Sequence, residues 1–249
     1  MLFLGLFIFK NISFKCLKMR EKKIEDDTFV VIPAYNEATN ISEVLFETLK
    51  YAKNVVVVDD GSIDNTSKVV SKYNVYLLKH IVNLGKGASM KTGCEFAISK
   101  GAKKIILMDS DGQHDPKDIF VFSRALLRYD VCLGYRLREG QMPLIYRFGN
   151  QFLDGFSRFI LGKKIIDTQC GYRSFRAEAY KKIEWNSSDY TVETEMLSNI
   201  TKNKLRYTQV KIKTIYKDNY KGTGVFDGFK IVFNMLRFKF YGIFGIVFK

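Results

Sequence analysis

Four consecutive valines, Val55, Val56, Val57 and Val58, run directly into Asp59-Asp60-Gly61, and they constrain this chain more than any other feature. A half-buried strand alternates apolar with polar residues, so a run that is apolar at every position belongs to a strand covered on both faces. The pattern recurs in Phe29-Val30-Val31-Ile32, in Val75-Tyr76-Leu77-Leu78 and over 104–108, which ends in Asp109-Ser110-Asp111. Between these runs, 41–51, 64–72 and 88–100 read as helices; apolar residues at 41, 44, 45, 49 and 52 show the spacing. Strands and helices in alternation predict an α/β fold, a Rossmann-like, mostly parallel sheet with helices on both faces.

A fifth strand is expected at 130–134, after which the alternation weakens. Helical spacing returns at 147–161 and 191–201, and 206–215 alternates like an edge strand. No internal repeat or low-complexity linker interrupts the chain. Residues 28–224 therefore read as one domain, between an extension at 1–27 and a basic amphipathic segment at 225–249.

With 249 residues, 47% of them hydrophobic, the chain can bury one substantial core. A formal charge of +14 calls for an anionic partner: nucleic acid, an anionic lipid surface or a phosphorylated substrate. Cys16, Cys94, Cys132 and Cys170 form no CxxC pair, which argues against a zinc or disulfide framework and for a reducing compartment. His80 and His114 are the only histidines, too few for histidine-rich metal sites and most His-based triads. The nine apolar residues at the N-terminus are too short to span a bilayer, and the basic stretch follows them rather than preceding them as in a secretory signal. They read as an interfacial anchor or as residues ahead of a true start at Met19.

Ligands of such sheets bind beyond the carboxyl ends of the strands. The acidic and glycine-bearing segments of this chain fall there. Asp109 and Asp111, one residue apart at a turn, can both reach one divalent ion; their hard oxygens suit Mg²⁺ or Mn²⁺, and such an ion neutralises a departing diphosphate. The same residues also describe a solvated acidic turn ahead of Asp115-Pro116. One of Asp59 and Asp60 can accept hydrogen bonds from a base or ribose, whereas Asp64 reads as the cap of the next helix. Gly85-Lys86-Gly87 opens a helix whose amides can approach a phosphate, or forms a plain tight turn. It is no Walker A loop: His80 stands at the first glycine position and Gly87 follows the lysine.

Taken in order, Val31-Ile32-Pro33-Ala34-Tyr35-Asn36-Glu37, Asp59-Asp60-Gly61-Ser62, Asn83-Leu84-Gly85-Lys86-Gly87, Asp109-Ser110-Asp111-Gly112-Gln113-His114-Asp115-Pro116 and Asp167-Thr168-Gln169-Cys170-Gly171-Tyr172-Arg173 resemble family 2 of the inverting glycosyltransferases. Within it, the dolichyl-phosphate mannose synthase-like, polyprenyl-phosphate branch is nearest. The resemblance covers about residues 28–200 and implies a GT-A fold. It implies transfer of a hexose from a nucleotide-diphosphate sugar to a polyprenyl (dolichyl) phosphate, with inversion and a divalent cation. By position it implies nucleotide-sugar contacts at Pro33, Tyr35, Glu37, Asp60, Lys86 and Asp109, and a metal and diphosphate cluster of Asp109, Asp111 and Gln113. Arg136 and Arg147 fall where this branch holds the acceptor phosphate, and Glu193 or Glu195 where sugar hydroxyls are contacted. Asp167 resembles a catalytic base for a hydroxyl acceptor; an ionised phosphate needs none, which leaves Asp167 an orienting part. The chain departs from the mannose synthases at Tyr216-Lys217-Asp218-Asn219-Tyr220-Lys221-Gly222-Thr223-Gly224, which lacks their arginine and Ser-Lys pair and leaves GDP- and UDP-sugars equally open.

Residues 201–249 carry eleven Lys/Arg against two Asp. Phe226, Phe229, Val232, Phe233, Leu236 and Phe240 recur there at helical spacing, interrupted by Lys230, Arg237 and Lys239. That pattern suits a helix in the headgroup plane or one packed on the core. The expected setting is peripheral, at the cytoplasmic face of a membrane, with room for a membrane-anchored partner. A saccharide-hydroxyl glycosyltransferase, a nucleotidyltransferase and a nucleic-acid-binding module are the alternatives. Acidic residues at the ligand end of the sheet and the lack of any nucleic-acid motif argue against the last.

Overall fold

The computed structural model describes residues 24–136, 155, 165–189 and 191–215. The segments 1–23 and 216–249, Arg147 itself and all of the helix expected at 147–161 except residue 155 lie outside the described residues.

The chain runs β1 (Thr28–Ala34), α1 (Ile41–Tyr51), β2 (Asn54–Asp59), α2 (Thr66–Val70), β3 (Tyr76–Lys79), α3 (Lys86–Ser99), β4 (Lys104–Leu107), a 3₁₀ turn (Pro116–Asp118) and α4 (Ile119–Ala125). It continues through β5 (Val131–Arg136), β6 (Arg173–Arg176), a second 3₁₀ turn (Ala177–Ala179), α5 (Tyr180–Ile183), α6 (Val192–Lys202) and β7 (Tyr207–Ile212). The strands form one seven-stranded sheet in the order β3-β2-β1-β4-β6-β5-β7. β3, β2, β1 and β4 pair in parallel, β5 and β7 pair in parallel, and β6 is antiparallel to both β4 and β5. The sheet is thus the mostly parallel one expected, with β7 at its edge.

The apolar runs are explained by two cores. In β1, Val30 and Ile32 pack with α1, α2 and α4, while Phe29 and Val31 pack with α3 and α6 on the opposite face. The valines of β2 divide likewise, Val55 and Val57 to the first core, Val56 and Val58 to the second. Each strand side chain leaves the pleat on alternate sides, so only an unbroken apolar run can serve both layers. α3 lies close on the sheet because position 93 is glycine: a Cβ there would sit 2.4 Å from Val31 Cγ1.

β6 was not anticipated, and it matters most for the site. Because it runs against its neighbours, its leading end meets the edge at which β1, β2, β4 and β5 finish. Residues 165–172 are thereby brought beside the carboxyl end of β4, with Leu107 opposite Arg173 in register.

Candidate active site

Three loops at the carboxyl edge are laced together by side-chain caps. After β1, Asn36 adopts a positive φ of 54°, donates its amide to Ser62 Oγ (2.9 Å) and accepts the Ile63 amide at Oδ1 (3.0 Å). Asp64 accepts the Thr66 amide (2.8 Å) and the Ala38 amide (3.1 Å), so it ties the first residue of α2 to the first loop, while the cap position itself is Asn65. Burial would raise the Asp64 carboxyl, but the Thr66 hydroxyl and these amides hold it below its ordinary value.

The expected nucleotide contacts divide into framework and face. Pro33 is buried within β1, opposite Val58. Glu37 is buried, accepts from Asn40 Nδ2 (2.7 Å) and gives its amide to Thr66 Oγ1 (2.9 Å), so it fixes the start of α1. Tyr35, at 43% exposure, is the ring of this group open to a ligand. Asp60 accepts from the Leu84 amide (3.0 Å), the Gly85 amide (2.8 Å) and His80 Nδ1 (2.7 Å). Its carboxylate therefore organises the loop before α3. Asp59 is held by the Ser62 amide (2.9 Å) and the Ser67 hydroxyl, and it lines an open crevice beyond the edge of β3.

That loop delivers Lys86 into the centre of the site. Its ammonium lies 2.8 Å from Asp109 Oδ1 and 2.9 Å from Glu193 Oε1. Burial works against a charged lysine, but the carboxylates of Asp109 and Glu193 prevail and raise its pKa above the ordinary value. Burial likewise opposes ionisation of Asp109, yet Lys86, with smaller help from Arg136, holds it at about 2. Asp111 moves the other way: burial first, then the charge of Asp109, raise its carboxyl. A neighbouring pair thus holds one firmly ionised carboxylate and one that gains by meeting a cation.

The loop after β4 is shaped for this. Gly112 takes a positive φ of 77°, and the Gln113 amide donates to Asp111 Oδ1 (2.9 Å). His114 is a part of the site that the spacing did not single out. Its Nδ1 accepts the Asp109 amide (3.2 Å), its Nε2 lies 3.8 Å from Asp109 Oδ2, and its ring stacks on Tyr172 at 4.7 Å. Burial lowers its pKa despite the adjacent aspartates, favouring the neutral ring that this acceptor role requires.

The lead-in to β6 closes the site. A Cβ at Gly171 would lie 2.5 Å from Asp109 Oδ2, so any larger residue there must displace the Asp109 carboxylate. Arg173, fully buried, donates to the carbonyls of Cys170 (2.8 Å), Thr168 (2.8 Å) and Glu193 (2.7 Å), tying this segment to the first turn of α6. Neither Arg173 nor Gly171 was picked out as a site residue, although both lie in the motif that carried the resemblance.

Asp167 and Arg136 meet each other. Arg136 Nε donates to Asp167 Oδ2 (2.7 Å) and Nη2 to Oδ1 (3.1 Å), and the Arg136 and Gln169 amides add two longer bonds. The Asp167 carboxylate is thus buried and charge-paired on both oxygens. The glutamates also separate. Glu195 accepts the Asn186 amide (3.0 Å), the Ser187 amide (2.9 Å) and the Ser187 hydroxyl (2.6 Å), and the loop it holds accepts the Gly87 amide at Ser188 O (2.7 Å). Glu193 keeps Oε2 buried with no hydrogen-bond partner among the described residues. Also among the described residues, no three His, Cys, Asp or Glu side chains converge on one point as a metal cage. Two carboxylates with room for substrate oxygens are what Mg²⁺ or Mn²⁺ takes in phosphate chemistry, so the donor set fits such an ion.

A mostly parallel sheet with a carboxylate pair and a buried lysine at its carboxyl edge suits a phosphate-bearing ligand held with a divalent ion. Residues 29–184 match the family described as Glycosyl transferase family 2. A UDP-N-acetylglucosamine–dolichyl-phosphate N-acetylglucosaminyltransferase of Methanococcus voltae is 33% identical over 85% of this chain and 95% of its own length. A polyprenol monophosphomannose synthase of Mycolicibacterium smegmatis is 26% identical over 88% of each. Among solved structures, glucosyl-3-phosphoglycerate synthase of Mycobacterium tuberculosis, in complex with Mn²⁺, UDP and glucosyl-3-phosphoglycerate, superposes with a TM-score of 0.66 at 16% identity, over 89% of this chain and 81% of that one. The chain belongs to glycosyl transferase family 2, in its polyprenyl-phosphate glycosyltransferase branch, and is a glycosyltransferase with a GT-A fold.

Proposed function

We propose that the enzyme transfers a sugar from a nucleotide diphosphate to a polyprenyl phosphate with inversion at the anomeric carbon. The observation that carries this is the engagement of Asp167. With both oxygens bonded to Arg136, it is poorly disposed to take a proton from a saccharide hydroxyl, whereas an ionised phosphate needs no base. In the reaction an acceptor phosphate oxygen forms a bond to the anomeric carbon as the bond from that carbon to the donor's diphosphate oxygen breaks. The leaving nucleoside diphosphate takes the electron pair.

The chain's residues share this work. Tyr35 offers a face to the base. Asp109, Asp111 and Gln113 would hold Mg²⁺ or Mn²⁺, which when bound neutralises the leaving diphosphate. Lys86, already charged beside Asp109, supplies a second positive group for the same diphosphate. Glu193 Oε2, buried and without a partner among the described residues, is satisfied by a sugar hydroxyl, the role that Glu195 cannot take while it holds the 186–188 loop. Arg136, and Arg147 outside the described residues, receive the acceptor phosphate.

The Methanococcus voltae relative makes a UDP-N-acetylhexosamine the first donor to test, with GDP-mannose beside it. The enzyme works peripherally at the cytoplasmic face of a membrane. No helix among the described residues is long and apolar enough to cross one, and the basic segment 225–249 supplies an interfacial contact. Donors are tested in turn with polyprenyl phosphate and Mn²⁺ or Mg²⁺, and the products are weighed. Polyprenyl monophosphate carrying one sugar, with free nucleoside diphosphate, is expected. Free diphosphate would instead identify a nucleotidyltransferase, and a sugar found only on saccharide hydroxyls a different acceptor.

A further inference from the structure

Away from the residues that handle the donor, the carboxyl edge carries a second feature. The loop after β2 and the loop after β3 touch: a Cβ at Gly61, itself at a positive φ of 71°, would lie 2.5 Å from the Val82 carbonyl carbon. At this junction Ile63 is 88% and Ile81 100% exposed, with Val82 and Leu84 exposed beside them. Ile63 and Ile81 both border the open crevice of about 500 Å³ that Lys68 and Lys79 also line. Across 61–86 there are four lysines and one acidic residue, Asp64. Lys86 is spent on Asp109 and Glu193, but Lys68, Lys72 and Lys79 are all exposed. Water-exposed aliphatic side chains clustered on two touching loops and ringed by lysines match an anionic bilayer surface, where the apolar groups enter the acyl boundary and the ammonium groups meet headgroup phosphates.

We propose that these two loops form a membrane-docking rim, with Ile63 and Ile81 as the inserting residues and Lys68 and Lys79 at headgroup level. The loops leave the carboxyl ends of β2 and β3, and Asp109 leaves the carboxyl end of the parallel strand β4, so the rim and the reactive site open on one edge of the sheet. Five strand spacings separate β3 from β5, roughly 24 Å at the usual interval. A contact at the β3 end is thus well removed from Arg136 at the end of β5, and it would set the tilt of the sheet over the bilayer. The docking itself does not require the lipid-phosphate reading; only its purpose, presenting the site to a membrane-held acceptor, rests on that reading.

The test uses the full chain and vesicles of phosphatidylcholine with 30% phosphatidylglycerol (about one anionic lipid in three, enough to give a negative surface). Both isoleucines are exposed, so Ile63→Ser/Ile81→Ser folds normally. It is expected to bind vesicles about 10- to 30-fold more weakly, the scale of losing two partly buried aliphatic side chains. Turnover of a water-soluble short-chain polyprenyl phosphate stays unchanged. Lys68→Gln/Lys79→Gln is expected to lose about tenfold on anionic vesicles and little on neutral ones. Trp185, the chain's one tryptophan, is buried, so Ile81→Trp reports insertion directly through quenching by brominated lipid. Wild-type vesicle affinity in the double isoleucine variant, or no bromolipid quenching at position 81, overturns the rim. So does a change from dimer to monomer in the variant with vesicle binding unaltered, which would make the patch a contact between copies. Rim-dependent vesicle binding without turnover of either acceptor would leave the rim standing and remove the lipid-phosphate reading instead.

Discussion

Two charge clusters lie at the same edge of the sheet, and they are built differently. Lys86, Asp109 and Glu193 form an incomplete one: a single ammonium serves two carboxylates, and Glu193 Oε2 has no partner among the described residues. Arg136 and Asp167 form a fork-to-fork pair in which guanidinium and carboxylate face each other through two bonds. The first arrangement carries excess negative charge and an unmet acceptor, which suits a site that gains by receiving a cation and a hydroxylated ligand. The second resembles a structural clasp, in which each charge is met by the other.

The sharpest way to break this contrast is Asp111→Asn. Loss of the second carboxylate is expected to lower donor turnover by about 10³ or more, while neutral-pH stability holds or rises, because burial and Asp109 already oppose its charge. Near-wild-type turnover would remove the pair from the chemistry. Arg136→Met removes the fork-to-fork partner of buried Asp167 and is expected to cost about 3–5 kcal/mol in urea unfolding, with Arg136→Met/Asp167→Leu recovering most of it. A double variant as unstable as the single one would show that the pair is not the clasp described here. Gly171→Ala pushes a methyl against Asp109 and is expected to cost about 1–3 kcal/mol and to raise the cation concentration needed for half-maximal turnover.

The smallest effect is in acid. Asp109 is held at about 2, below its ordinary 3.8. A depressed carboxyl stabilises the fold above its unfolded pKa, and that contribution fades as pH falls through the folded value. Wild type should therefore lose on the order of 1–2 kcal/mol between about pH 4 and pH 2 from this group, a loss that Asp109→Asn lacks. Equal acid slopes in unfolding titrations would show that Lys86 does not hold Asp109 ionised.

The same contrast runs through what could be read in advance. The donor half was legible because its strands are apolar on both faces and its functional residues sit at predictable strand ends, as with Val55 to Val58 leading into Asp59. The strand that follows the 167–173 motif was not. β6 reads Arg173-Ser174-Phe175-Arg176, and its burial shows no apolar pattern because Arg173 satisfies its guanidinium on three backbone carbonyls. An arginine that solvates itself on carbonyls looks, in a sequence, like an exposed one. His114 was hidden for a similar reason, since its task is to accept a single amide. Glu193 and Glu195 could not be told apart by position, because their difference lies in which amides reach them.

The central claim is that Asp109 and Asp111 together grip a divalent ion with the donor's diphosphate. Titrating Mn²⁺ into the protein with and without UDP, followed by the loss of the free-ion electron paramagnetic resonance signal, tests it most directly. One tightly held Mn²⁺ per chain is expected only when UDP is present, weakened at least about 30-fold in Asp109→Asn and Asp111→Asn, the scale of losing one hard charged ligand. Mn²⁺ binding that is absent with UDP, or equally tight in both variants, would contradict the account.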